Sequence, residues 1–217
     1  MLLSVLLYGG GALALAGLVA MLPRRTRRKG VWLFVIAIAF VLIAIVWPAH
    51  EVHAIGVHSH LDEIMPRWQF EERHEIRIDA PPERIYAAIR DVTPGEIRLF
   101  QTLTAIRRLG QRGEKSILNA PDAKPILDVA THSGFRVLTD DAPHELVIGT
   151  RIGPQTVAVM NFRIESDGLV TTETRVFART DSARRNFAVY WRIIRPGSGI
   201  IRQSWLEAIK QRAEAKR

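Results

Sequence analysis

Two apolar runs dominate the start of the chain, Leu2–Leu22 and Val31–Trp47, with the basic cluster Arg24, Arg25, Arg27, Arg28 and Lys29 between them. The first run has 21 residues without a charge, which as a helix would reach roughly 31 Å, enough for a bilayer core of about 30 Å. The second has 17 residues, ends at Pro48, and carries Trp32 and Trp47 near its two ends, where amphipathic rings favour the interface. No Asp or Glu precedes Glu51. The pattern predicts a transmembrane helical hairpin over residues 1–48, with spans at about 2–22 and 31–47 and a basic loop at 23–30.

The pattern then changes period. Residues 49–66 read as a juxtamembrane linker. From Trp68 to Asp79 the chain alternates: Trp68, Phe70, Ile76 and Ile78 fall on one face, and Gln69, Glu71, Arg73, Glu75, Arg77 and Asp79 on the other. That is a half-buried strand. Pro81-Pro82 ends it and opens a helix over Glu83–Arg90, with Ile85, Ala88 and Ile89 inward. Thr93-Pro94 begins a second helix, to about Arg108, with Ile97, Phe100, Leu103, Thr104 and Ile106 near its apolar side. Gly110–Pro125 reads as a loop and Ile126–Thr131 as a short helix.

Four strands follow between turn signals, at Phe135–Leu138, Glu145–Ile152, Thr156–Ile164 and Leu169–Ala178; Ser166-Asp167-Gly168 is a strong hairpin signal. Asp181 is placed to cap a final helix. Phe187, Tyr190, Trp191 and Ile194 recur along it at helical spacing, Pro196-Gly197-Ser198-Gly199 interrupts it, and Ile201, Trp205, Ile209 and Ala213 continue at intervals of four.

Charge matters once the anchor is subtracted. The formal net charge is +8, and the loop supplies five of it. Arg184–Arg217 carries +7, which leaves −4 on Glu51–Ala183. The basicity reflects a loop that fixes topology and one basic helix, so no nucleic-acid partner is expected. By the positive-inside rule the loop is cytoplasmic. Both termini and the following domain then lie outside the cytoplasm, at a bacterial cytoplasmic membrane. A cleaved signal peptide is the competing reading of the first run, because Ala14-Leu15-Ala16 resembles a cleavage site, but no basic segment precedes it. Gly10, Ala14 and Gly17 share one face that would let another helix approach closely, the second span being the favoured partner. The oligomeric state is left open.

The order of elements, and the stretches Phe70-Glu71-Glu72-Arg73-His74-Glu75-Ile76, Ala80-Pro81-Pro82-Glu83-Arg84-Ile85-Tyr86, Thr172-Glu173-Thr174-Arg175-Val176 and Tyr190-Trp191-Arg192-Ile193-Ile194-Arg195-Pro196-Gly197-Ser198-Gly199, resemble the START-like helix-grip superfamily (SRPBCC, polyketide cyclase/dehydrase-like), in particular an uncharacterised bacterial subgroup. The resemblance covers about Asp62–Ala213. It implies an α+β helix-grip domain over residues 67–217, a curved antiparallel sheet wrapped around the long C-terminal helix, with a cavity for lipids or other apolar molecules. Only some superfamily members are enzymes, and no catalytic motif carries over.

The candidate ligand-binding residues follow from the faces of these elements. Alternation turns Glu72 and His74 inward, where a carboxylate and an imidazole could hold a ligand's polar group or act as an acid–base pair, unless they serve a structural hydrogen bond. Thr172 and Thr174 share a face of the last strand, and Met160 and Phe162 belong to the apolar wall of the strand before it. Tyr190 and Trp191 on the final helix either pack in the core or close the cavity. Glu173 and Arg175 read as surface cross-strand partners. His50, His53, His58 and His60, with Asp62 and Glu63, match no standard metal spacing. No metal and no cofactor are expected. The expected partners are the bilayer and a hydrophobic small molecule, bound by the anchored domain. The alternatives are a cyclase, dehydratase or hydrolase using Glu72 and His74, or a structural partner in an envelope assembly.

Overall fold

A computed structural model describes residues 2–108 and 117–215. The chain is α+β: two apolar N-terminal helices, a five-stranded antiparallel sheet and a long C-terminal helix. It divides into two compact units, Met1–Ala49 with Arg185–Pro196, and His50–Arg184 with Gly197–Arg217.

In the first unit, α1 (Leu2–Ala20) and α2 (Arg27–Val46) form an antiparallel hairpin, and both are long and apolar enough to cross a membrane. Glycine permits their close approach. A Cβ on Gly17 would lie 2.8 Å from the backbone nitrogen of Phe34, and one on Gly30 would lie 2.8 Å from the carbonyl oxygen of Gly17. The small-residue face of α1 is therefore turned on α2. The segment 185–196 adds its own ties. Tyr8 donates its hydroxyl to the carbonyl of Ile193 at 2.6 Å, and the Arg192 guanidinium donates to the carbonyls of Ile45, at 2.9 Å, and of Trp47. Those carbonyls belong to the last turn of α2 and its C-cap, which helical hydrogen bonding leaves without donors.

The second unit holds two sheets. β1 (Val52–His53) pairs with β2 (Arg67–Trp68). The larger sheet is antiparallel in the order β3-β7-β6-β5-β4, built from β3 (Phe70–Arg77), β4 (Arg136–Asp141), β5 (Glu145–Arg151), β6 (Thr156–Ile164) and β7 (Leu169–Ala178). Leu146, Ile148, Met160, Phe162, Ile164 and Val170 form one face of it. They pack with Ile85 and Ile89 of α4 (Pro82–Asp91), Ile126 of α6 (Ile126–Thr131), and Trp205, Leu206 and Ile209 of α7 (Asp181–Glu214). This inner face carries the main core.

The opposite face is also covered. The stretch read as a linker contains a strand and the short helix α3 (His60–Ile64). Leu61 and Met65 pack with Trp68, Val147 and Val159. Trp68 thus lies on the outer face, away from the side expected by alternation. The strand breaks at Gln69, whose backbone amide donates to Val176 and whose side-chain amide accepts from Ala178 at 2.7 Å, so the phase resets between β2 and β3.

Other differences have local causes. The expected helix from Thr93 splits into a 3-10 turn (Pro94–Glu96) and α5 (Phe100–Arg108), because Leu99 adopts a left-handed backbone with φ 60°. Ile106 is exposed as a result of where α5 then faces. Thr180, not Asp181, caps α7, accepting from the amide of Ala183 at 3.2 Å. The helix runs through Pro196 without a break. Beyond Gly197, Ser198 and Gly199 the apolar stripe of Trp205, Ile209 and Ala213 is held in the core. The loop expected at Gly110–Pro125 falls in part on 109–116, outside the described residues; of the rest, Ile117–Asn119 forms a 3-10 turn.

Candidate functional site

Register determines which side chains meet on the inner face. Glu72 pairs with Thr174 and His74 with Thr172 across β3 and β7. Met160 pairs with Thr174 and Phe162 with Thr172 across β6 and β7. Six of the eight residues singled out from the sequence therefore form one patch, as a period of two dictates. Tyr190 and Trp191 are not part of it. They lie in the segment 185–196 that clusters with the helical hairpin, with Phe187 stacked 5.8 Å from Trp191 and tilted 5.5 Å from Tyr190. Their assignment to a ligand face gains no support from this placement.

The C-terminal part of α7 adds residues that sequence reasoning missed: Ser198, Arg202 and Trp205. Ser198 donates to Glu72 Oε2 at 2.6 Å. Gly199 leaves room for this approach, since a Cβ there would stand 3.2 Å from Glu72 Oε1 and 3.6 Å from His74 Cε1. Arg202 donates through Nη2 to Thr174 Oγ1 at 2.7 Å, and its guanidinium carbon lies 5.4 Å from the centre of the Trp205 ring. That ring meets Phe162 edge to face at 5.1 Å. A polar cluster of Glu72, His74, Thr174, Ser198 and Arg202 thus sits against an apolar wall.

Its electrostatics are set by enclosure. Burial pushes the Glu72 carboxyl up, but the His74 imidazole, the Ser198 hydroxyl and the Arg202 charge outweigh it and hold the group below its ordinary range. Glu72 is therefore a carboxylate at neutral pH. Burial pulls Arg202 down to about 10, against the opposing pull of Glu72, which leaves it a cation. His74 Nε2 stands 3.5 Å from Glu72 Oε1, outside hydrogen-bond geometry. Arg202 Nη1, Trp205 Nε1 and His74 Nε2 are all closed off from solvent without a hydrogen-bond partner. Trp205 is only 3% exposed. Buried polar atoms are ordinarily satisfied, so these three together single out the cluster as the candidate site.

The outer face carries a second polar network. Arg175 donates from Nε to Glu173 at 2.5 Å, from Nη2 to Asp62 at 2.7 Å and from Nη1 to the Met65 carbonyl at 3.1 Å, and it lies 3.8 Å over the Trp68 ring. Glu173 and Arg175 are buried, in place of the surface pair expected, because α3 and β2 cover them. Asn161 bridges this network to Glu145, donating at 2.6 Å, and Glu145 accepts from the His60 amide at 2.8 Å. The network ties α3 to the sheet, and a cavity of about 370 Å³ opens beside it, with Asp62, Trp68, Asn161, Glu173 and Arg175 in its lining. His60 bridges Glu63 and Asp141 at 3.4 and 3.3 Å. Among the described residues no group of three His, Cys, Asp or Glu could hold a metal ion.

Comparison with known proteins adds little. No protein-family model matches the chain, and no curated protein matches it. Three solved structures are similar at low level. Protein MLL2253 from Mesorhizobium loti is 13% identical, over 66% of this chain and 96% of that one, with a TM-score of 0.31. CV1439 from Chromobacterium violaceum is 14% identical, over 67% and 99%, with a TM-score of 0.29. CalU16 from Micromonospora echinospora is 14% identical, over 68% and 84%, with a TM-score of 0.26. Likeness at these values establishes neither fold family nor activity.

Proposed function

We propose that this protein is a membrane-anchored START-like (SRPBCC) domain of the helix-grip type, which binds a hydrophobic small molecule or lipid between its sheet and its C-terminal helix. The observation that carries the reading is the group of orphaned polar atoms, Arg202 Nη1, Trp205 Nε1 and His74 Nε2, set against the apolar side chains of Met160 and Phe162. Ligand sites combine a mostly apolar lining with a few placed polar groups. The two apolar helices support the rest of the reading, since a binding domain held at a bilayer meets membrane-soluble molecules first. Full-length protein purified in a nonionic maltoside, extracted with organic solvent and studied by mass spectrometry, is expected to release one small amphiphile in near-stoichiometric amount. Release of detergent and bulk bilayer lipid alone would overturn the reading.

The domain belongs on the extracytoplasmic face by the positive-inside rule. A phosphatase fused after Arg217 is expected to be active and a green fluorescent protein fused there dark; the reverse pair would place the domain in the cytoplasm. The enzyme reading draws on a single observation, the 3.5 Å approach of His74 to Glu72. Against it, a carboxyl held below its usual range and bonded to Ser198 is a poor general acid and a weak base. Orientation of a ligand suits the pair better than proton transfer.

A further inference from the structure

Resting on the membrane anchor in that reading, we infer that residues 185–196, the stretch of α7 that belongs to the first unit, form a third membrane element. They are an interfacial helix whose partner is the boundary between headgroups and acyl chains, in the leaflet opposite the basic loop. Two hydrogen bonds carry the placement. Tyr8 donates to the Ile193 carbonyl at 2.6 Å, and Arg192 Nη1 donates to the Ile45 carbonyl at 2.9 Å. Tyr8 is in the second turn of α1 and Ile45 in the last turn of α2, so both ties are made at the end of the hairpin away from residues 23–30. At 1.5 Å per residue they lie within about 10 Å of the helix ends. Once α1 and α2 cross a bilayer, residues 192 and 193 are held at the depth of the terminal turns, where hydrocarbon gives way to headgroups.

The residues of the stretch suit that depth. Arg185, Arg192 and Arg195 are cationic, and the stretch holds no Asp or Glu. Phe187, Tyr190 and Trp191 add aromatic rings, and tyrosine and tryptophan favour the membrane interface. Helices that lie in the plane of a bilayer combine basic and aromatic residues with an apolar surface. Here Ile193 is 50% exposed, and Tyr8, which bonds to its carbonyl, is 53% exposed. This surface continues into the exposed Ile45 and Val46 of α2, which singles out lipid as its partner. Arg192 fits the same setting. Carbonyls in the last turn of a helix lack donors, no water serves them in hydrocarbon, and Arg192 supplies what is missing to Ile45 and Trp47.

The chain has no cysteine, so a nitroxide label can be placed by single substitution. Ile193→Cys is compared with Val35→Cys, an exposed position in the middle of α2. Each full-length variant is labelled, reconstituted in liposomes of phosphatidylcholine and phosphatidylglycerol, and read by power saturation against oxygen and a water-soluble nickel chelate. Oxygen concentrates in hydrocarbon and the chelate is excluded from it, so the ratio of their effects rises with depth. The ratio at Ile193 is expected above that of the free label in water and below that at Val35. A water-like ratio at Ile193 with a high one at Val35 would overturn the interfacial helix and leave the hairpin anchor standing. A ratio at Ile193 as high as at Val35 would also overturn the interfacial placement. Water-like ratios at both positions would overturn the helix and the anchor together. Should Ile193→Cys not reconstitute, the unsubstituted protein gives a second measurement. A phosphatidylcholine with a photoactivatable diazirine on its acyl chain is expected to label the tryptic peptide Asn186–Arg192 as well as the two spans, and labelling of the spans alone would overturn the inference.

Discussion

Replacing Glu72 by glutamine keeps the shape of a side chain that is 6% exposed and removes its charge. Two losses follow. The bond from Ser198, 2.6 Å long, changes from charge-assisted to neutral, a reduction of ~1 kcal/mol. Arg202 also loses the acidic group that compensates it. Stranding a buried ion completely costs about 3–5 kcal/mol, but Thr174 still accepts from Arg202, and the smaller desolvation of the amide returns part of the difference. The net expectation is a loss of about 2 kcal/mol at pH 7, or a fall in Tm of roughly 4–8 °C for a protein of this size.

The pH dependence gives the sharper signature. Glu72 is held below the ordinary carboxyl range in the folded state, so its contribution is fully present above that range and lost as pH falls through the lower, folded value. The deficit of Glu72→Gln should therefore shrink progressively as pH falls below the ordinary carboxyl range. The assay is thermal unfolding of the full chain in nonionic detergent, read by circular dichroism at pH 3, 5 and 7. An Arg202→Met background should remove most of the effect, because the two substitutions then share one interaction. A glutamine variant as stable as wild type at pH 7, or a deficit unchanged at pH 3, would refute the assignment of Glu72 as the compensating charge.

Three further outcomes test the framework around the site. Leu61→Ala deletes a fully buried side chain of α3 and should cost about 2–5 kcal/mol, seen as faster hydrogen exchange of the β5 and β6 amides; unchanged exchange would mean that α3 does not hold the outer face. Gly17→Val places atoms where even a Cβ lies 2.8 Å from the Phe34 backbone and should separate α1 from α2. The chain has no cysteine, so a lowered cross-linking yield between single cysteines introduced on the two helices reads this directly, and an unaltered yield would count against the packing. Arg192→Ala removes the donors to the Ile45 and Trp47 carbonyls and should lower the stability of the first unit by about 1–3 kcal/mol; a change under half a kcal/mol would show those carbonyls to be satisfied by water.

How much of this was legible in the sequence follows from the range of each signal. Strand alternation is local: it put Glu72 with His74, Thr172 with Thr174, and Met160 with Phe162, each pair on one face of its own strand, and the register brings the three pairs together. It failed at Trp68 because a single residue, Gln69, resets the phase, and nothing in the composition of the run marks that break. It failed differently at Glu173 and Arg175. Their face was right, but a charged outer face looks solvated until the residues that cover it are known, and Asp62 lies 113 positions from Arg175. The ion pair is a product of tertiary packing.

The second half of the site was hidden by a misread breaker. Pro196 with its flanking glycines looks like a helix end, and an arginine beyond it looks like part of a solvated basic tail. Once the helix is continuous, Ser198, Arg202, Trp205 and Ile209 fall at intervals of four, three and four, along one stripe. Two polar residues then interrupt a stripe that is otherwise tryptophan and isoleucine. An arginine in that position must meet an acidic group or a ligand, because burying its charge alone is too costly. The acidic residue on the facing strand was already in view as Glu72. The stripe and the strand, read together, predict opposite charges inside the core, and the Arg202 Nη1 that Thr174 leaves unmatched is what turns a structural pair into a candidate binding site.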